Sequence, residues 1–302
     1  MKKEPHKAPF FLSNLVVCQN VPNLGKPNYS VMEQFFENIA VAFEGSEASV
    51  VAYNLAETMH KRFQSRLNLI HIEENGKGVV AKVDEFIEKK KNEGIPINLL
   101  HKKGSIYKSI VKATEELDAD LIIMGTHGIF GVQEFWMGSN AYRVVSSAPC
   151  PVITMQESFK RNDIKKIVLP IDTSDETRQK IPYASKMAES FNATIYLLGV
   201  STDSDSETQK YIRIYCNQAE EFFDRHKVKY EREEILGGNI TNNTIDYAKK
   251  IDADLIMIMT EQEPNSSAFF MGKFAQQMVN HSPIPVMSIR PREIGIAGGS
   301  GY

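Results

Sequence analysis

Asp120-Leu-Ile-Ile-Met-Gly125-Thr-His-Gly128, followed after nine residues by Gly138-Ser139, is the stretch that decides the fold. Leu121, Ile122, Ile123 and Met124 form a short apolar run between an Asp and a Gly, which reads as a buried strand. After Gly138, Ala141, Val144, Val145 and Ala148 recur at helical spacing, and Ser139 or Asn140 is placed to cap that helix. The three glycines of this spacing and a hydroxyl therefore lie between a strand end and a helix N-terminus. Backbone N–H groups are free there and the helix dipole favours an anion, so a phosphate is the natural guest.

Working outward, the stretch occurs twice. Asp118-Ala-Asp-Leu-Ile-Ile-Met124 returns as Asp252-Ala-Asp-Leu-Ile-Met-Ile258, 134 residues further on. Gly104, Met137-Gly138 and Ala148-Pro-Cys-Pro-Val152 return in the same register as Gly238, Met271-Gly272 and Ser282-Pro-Ile-Pro-Val286. The front segments, Asn38–Ser46 and Lys166–Ser174, match at an offset of 128, so the second copy carries a six-residue insertion. Repeats of this length are duplicated domains, not the short units of a solenoid.

Each copy alternates strands with helices. The strands are expected at 39–43, 67–72, 97–100 and 152–155 besides the Leu121 run, and at 167–171, 194–200, 229–235 and 286–289 in the second copy. Ala52, Leu55, Ala56 and Met59 make one face of the first helix, and Ile181, Ala184, Met187 and Ala188 one face of its counterpart. Such alternation predicts an α/β fold: two tandem, doubly wound domains, each with a mainly parallel five-stranded sheet of Rossmann-like type. Ligands of such sheets sit beyond the carboxyl ends of the strands, where the strand order switches, and Glu44, Ile72 and Gly125 all fall at strand ends. The expected domains are 38–157 and 163–291, with an extension over 1–37 of no assigned role and a flexible tail over 292–302. Leu15-Val16-Val17-Cys18 is compatible with one extra strand.

The chain has 302 residues, 42% hydrophobic and 24% charged, with a formal net charge of −3. That balance lacks the basic footprint of a nucleic-acid binder. No apolar run approaches the roughly 18 residues of a membrane span. Lys2, Lys3 and Lys7 precede an apolar stretch too short for a secretory signal. Cys18, Cys150 and Cys216 are widely spaced and form neither a disulfide framework nor a zinc motif. A cytoplasmic protein is expected.

The spacing Gly125-x2-Gly128-x9-Gly138-Ser139, with the Ala-Pro-Cys-Pro-Val segment behind it and Val41-Ala-Phe-Glu-Gly-Ser-Glu-Ala-Ser49 in front, resembles the ATP-binding signature of universal stress proteins. The resemblance covers about residues 38–155 and again 165–290, as in a tandem two-domain member. It implies an adenine-nucleotide alpha-hydrolase-like fold that binds ATP, with magnesium, as a stress-response or regulatory sensor. It also implies a nucleotide contact at Glu44, an adenine contact at the backbone of Ile72, and phosphate contacts over Met124, Gly125, His127, Gly128, Gly138, Ser139 and Asn140. The physics agrees: glycines admit close approach to phosphate, and Ser139 can donate at a positive helix end.

Two departures stand out. The family's Asp is Glu44 here, and the residue after Gly128, often basic in the family, is Ile129. The second copy divides the signature the other way. It keeps Asp172, but its loop, Met259-Thr-Glu-Gln-Glu-Pro-Asn-Ser-Ser267, lacks both glycines, carries Glu261 and Glu263, and has Lys273 in place of the Ser. Nucleotide is therefore expected in the first copy only, with Asp172 a turn or cap residue. The apolar stretch around Phe130, Val132, Phe135 and Trp136 reads as core packing or as a partner surface.

Two other functions remain open, a nucleotide-independent interaction module and a slow ATPase. No SGGxDS, HIGH or KMSKS pattern and no lysine of the P-loop kind occurs, and no general base can be named. The strands at 149–155 and 283–289 end their copies at equivalent places. The resemblance implies that they pair within the chain about a pseudo-twofold, with a homodimer of the whole chain as a further possibility.

Overall fold

The computed structural model describes residues 36–73, 80–126, 139–260 and 271–291. The expected strand at Leu15–Cys18 and the tail from residue 292 lie outside them. Ten strands, β1 (Asn38–Ala42), β2 (Arg66–Glu73), β3 (Ile97–Lys103), β4 (Leu121–Thr126), β5 (Val152–Gln156), β6 (Lys166–Ile171), β7 (Thr194–Ser201), β8 (Lys229–Leu236), β9 (Leu255–Met259) and β10 (Val286–Ile289), form one sheet. Their order, β3-β2-β1-β4-β5-β10-β9-β6-β7-β8, reads the same from either end once the two copies are exchanged. Every ladder is parallel except the central one. There β5 and β10 run antiparallel, with Val286 opposite Thr154 and Ser288 opposite Val152. The two five-stranded halves thus join through their last strands, in the pseudo-twofold arrangement expected.

The central strands are apolar throughout because both faces are covered. Along β1, Ile39 and Val41 enter one core and Ala40 and Ala42 the other. One layer of helices holds α1 (Glu47–Phe63), α2 (Val80–Asn92), α5 (Ile181–Phe191) and α6 (Ser206–His226). The opposite layer holds α3 (Ile106–Glu116), α4 (Ser139–Ser147), α7 (Ile240–Lys250) and α8 (Lys273–His281). The predicted faces of α1 and α5 are buried as expected. The edge strands β3 and β8 are rich in charge, which guards an edge against pairing with another chain. The charge also hid part of β3. Its expected end at Leu100 is extended through His101, Lys102 and Lys103, which stay in register with His71, Ile72 and Glu73.

The repeated Asp-Ala-Asp has a structural explanation. Asp118 and Asp252 take left-handed backbone, with φ of 48° and 55°, and close the helices before them. The N–H groups of Ala119 and Ala253 reach back to the carbonyls of Thr114 and Ala248, as in a Schellman ending. The second aspartate fastens the next strand to the first. Asp120 accepts from the backbone N–H groups of Glu37 and Asn38, and Asp254 from those of Lys165 and Lys166.

The front of the second copy departs from the first. In place of the first turn of α1 there is a 3-10 turn over Asp175–Lys180, and α5 starts only at Ile181, with Pro182 in its opening turn. The segment between the halves is fastened down. Arg161 lies 3.0 Å from Asp254 and 2.9 Å from Asp252, Arg62 lies 2.8 Å from Asp163, and Ile164 is buried.

Candidate functional site

In the first half the strand order reverses between β1 and β4, so their carboxyl ends diverge and leave a crevice. A cavity of about 260 Å³ opens there. This is close to the lower end of the roughly 300–1,000 Å³ typical of small-molecule sites. Ile70 and Ile72, two residues apart on β2, form one wall with Ile106 and Ile110, one turn apart on α3. Ala42, Phe43, Met124 and Gly125 form the floor, and Thr126, Asn140 and Ala141 the far side. Glu44 stands exposed at the rim and is, among the described residues, the one lining residue with an ionisable side chain.

Five of the nine expected site residues thus meet at one cavity: Glu44, Ile72, Met124, Gly125 and Asn140. Ser139 opens α4, so the helix start lies where the spacing put it. His127, Gly128 and Gly138 lie outside the described residues, as do Ile129, Phe130, Val132, Phe135 and Trp136. The sequence reading missed Ala42, Phe43, Ile70, Ile106, Ile110, Thr126 and Ala141. Strand alternation would have found Ile70 from Ile72, and helical spacing after Gly104 would have found Ile106 and Ile110.

Local chemistry fixes the rim. Ser46 caps α1 by accepting from the Ser49 N–H at 3.1 Å, and its hydroxyl donates to the Glu44 carboxylate. The acid is thereby anchored to the start of a helix, where negative charge is favoured. Gly125 answers to a different demand from the one its position in the motif suggested. A Cβ there would lie 2.4 Å from the backbone of Ala48, so the missing side chain lets α1 cross directly over β4.

The equivalent place in the second half is built differently. Met259 replaces Gly125, and the segment crossing it is the 3-10 turn instead of an α-helix. Met271 is buried in a cluster with Leu198, Val200 and Ile258, and Phe274, the counterpart of Asn140, packs against the same cluster. Asp172 serves its own turn: its carboxylate accepts from the Ser174 N–H at 2.8 Å, and its N–H donates to Thr177 Oγ1 at 3.2 Å. The loop from Glu261 to Ser267 lies outside the described residues.

Burial acts on several titratable groups away from the cavity. It pushes Asp120 up from its ordinary 3.8 to about 6, against the pull of the backbone N–H groups it accepts from. The buried thiols of Cys150 and Cys216 rise to about 12, which leaves them unreactive near neutrality. Among the described residues, no cluster of three His, Cys, Asp or Glu side chains is arranged to hold a metal, and no helix is long and apolar enough to cross a membrane.

Comparison with known proteins agrees with this architecture. The model of the universal stress protein family matches residues 73–155 and 163–290. A universal stress protein of Methanocaldococcus jannaschii is 27% identical over 150 residues, covering 42% of this chain and 86% of the relative. Among solved structures, a protein of unknown function from Pseudomonas aeruginosa superposes with a TM-score of 0.68 at 18% identity, covering 85% of this chain and 93% of its own. A universal stress protein from Archaeoglobus fulgidus gives 0.66 at 17% identity, with 84% and 98% covered. The first match covers less than half of this chain, and the two structures extend over both copies.

Proposed function

The chain belongs to the universal stress protein family, and we propose that it is a nucleotide-responsive stress or regulatory protein that holds one ATP, with magnesium, in its first half. The observation that carries this reading is the cavity at the β1/β4 switch point, which gathers Glu44, Ile72, Gly125 and Asn140 in the copy that keeps the glycine spacing. Ile70, Ile106 and Ile110 offer an apolar slot for a flat base. The backbone of Ile72 lies at its edge, and Glu44 is an acceptor for ribose hydroxyls. The phosphates extend toward the start of α4, where N–H groups and helix dipole favour them. Glu44 is one methylene longer than the family's Asp, and its bond to Ser46 sets where that length goes.

Holding suits this site better than turnover. Hydrolysis needs a positioned water and a base, and Glu44, the one ionisable lining residue among the described residues, belongs to the ribose end. The second half acts as a fixed structural partner, because Met259 and Phe274 supply apolar bulk where the first half has Gly125 and Asn140.

Calorimetric titration of nucleotide-free protein with Mg-ATP tests the proposal. Saturation at one ATP per chain is expected. Two per chain would mean that the second half binds as well. No heat at several temperatures, from folded protein, would favour the interaction module that works without nucleotide.

A further inference from the structure

His71 sits on β2 between two residues that line the cavity, yet points to the opposite face of the sheet. It is 2% exposed. Its Nδ1 lies 2.9 Å from the carbonyl oxygen of Phe43, so Nδ1 carries the proton and donates. Its Nε2 is buried without a hydrogen-bond partner among the described residues. A buried ring nitrogen left unpaired is unfavourable, so the ring has to be kept for what Nδ1 does.

What Nδ1 does follows from the parallel ladder. The last rung of β1 on β2 pairs Ala42 with Ile70, and beyond it the Phe43 N–H donates to the Ile70 carbonyl at 3.0 Å. In a continuing parallel ladder the next bond runs from the Ile72 N–H to the Phe43 carbonyl. Here the His71 ring engages that carbonyl, and β1 stops at Ala42. The Ile72 N–H and C=O are then turned toward the β1 side, past the end of β1, at the cavity that Ile72 lines. In the second half, the residue in register with His71 is Gly199, and there the ladder continues one rung further, to Ile171 opposite Gly199. A Cβ on Gly199 would meet Ile212 at 2.6 Å, so α6 occupies the space of a side chain. The half with the cavity has the histidine and the shortened ladder, and the other half has neither.

We propose that His71 is a positioning residue for base recognition: by holding the Phe43 carbonyl it keeps the Ile72 N–H and C=O open to the hydrogen-bonding edge of adenine. The proposal rests on nucleotide binding in the first half. An adenine edge offers N1 as acceptor and the amino group as donor, which matches one N–H and one C=O. Hypoxanthine carries N1–H and a carbonyl in their place and mismatches both.

The test compares wild type with His71→Leu and His71→Asn, using Mg-ATP and Mg-ITP as probes and amide hydrogen exchange at Ile72 as a readout that needs no ligand. The Asn side-chain amide can donate from about the place of Nδ1, while Leu cannot donate. Wild type is expected to exchange the Ile72 amide quickly without nucleotide, slowly with ATP, and to prefer ATP over ITP by roughly tenfold or more. His71→Leu should let the ladder close. Its Ile72 amide becomes protected without ligand and the preference for ATP falls toward one, while the chain stays folded. His71→Asn should restore both. A protected Ile72 amide in wild type overturns the proposal, as does an unchanged ATP preference in His71→Leu or a failure of Asn to restore it. Wild type that binds neither nucleotide overturns the reading beneath the proposal and base recognition with it. The exchange at Ile72 still distinguishes that failure from a failure of the His71 device.

Discussion

Single residues carry much of the difference between the two halves. Gly125 has no side chain because the backbone of Ala48 lies 2.4 Å from where a Cβ would stand. Gly125→Ala should therefore push α1 off β4, costing about 1–3 kcal/mol as overpacking does, and more if the helix cannot move. Urea unfolding would read the loss as a lower midpoint with an unchanged slope, and ATP titration a weaker site. An alanine variant of full stability would show that the crossing is looser than drawn. Asp120 makes a prediction in pH. Its folded value of about 6 lies above its ordinary 3.8, with burial the largest cause. The folded chain then binds more protons than the unfolded chain between those values, so stability falls as pH rises through that window. The contribution is fully present below about 3.8 and lost above about 6. Asp120→Asn, which keeps an acceptor for the N–H groups of Glu37 and Asn38, should remove this part of the slope. The difference in unfolding midpoint between wild type and variant, followed from pH 4 to 7, checks it. A difference that is flat with pH would mean that Asp120 ionises normally.

At the scale of elements, the segment between the halves is a fastening. Arg161 reaches the carboxylates of Asp252 and Asp254 and stacks over Phe159 with its guanidinium 4.9 Å from the ring centre. Arg161→Ala should leave the buried Asp254 without its cation and cost roughly 1–3 kcal/mol, read as a lowered unfolding midpoint; an unchanged midpoint would make the contact incidental. The sequence showed residues 156–163 only as a polar stretch, because a partner 91 positions away leaves no local signature. What was legible follows the same logic. Strands buried on both faces wrote themselves as apolar runs, as in Leu121–Met124, and the duplicated register located the halves. Charged edge strands did not: β3 continues through His101, Lys102 and Lys103 because the ladder to β2 holds them, not because their side chains favour it. The 3-10 turn at Asp175–Lys180 was hidden too, since Met259 lies 84 positions away in the chain but carries a side chain where the Ala48 backbone crosses Gly125 in the first half. The candidate site was legible where motif spacing marked it, and invisible where Ile70, Ile106 and Ile110 looked like ordinary core.

At the scale of the whole molecule, the sheet does not respect the duplication. β5 and β10 are buried along their shared ladder, with Ile153 and Met287 fully covered and opposite one another. One hydrophobic cluster runs from Val41 and Leu121 of the first half through Ile153 and Met287 to Leu169 and Leu197 of the second. Phe63 and Phe191 meet across the halves with ring centres 6.0 Å apart, and the Arg62 guanidinium covers Phe191 at 4.6 Å. Separating the halves would expose two apolar strand edges together with this core, so each half is a poor folding unit alone. The described residues should then unfold in one cooperative step, with the calorimetric and van 't Hoff enthalpies equal. A nucleotide held only in the first half should raise that single transition as a whole, because binding to the folded state stabilises everything that unfolds with it. Ile153→Asp, which buries a charge at the central ladder, should lower the whole transition and weaken ATP binding, although it lies outside the cavity. Two resolved transitions in the wild type, with ATP moving one of them, would show instead that the halves are independent domains that merely share an edge.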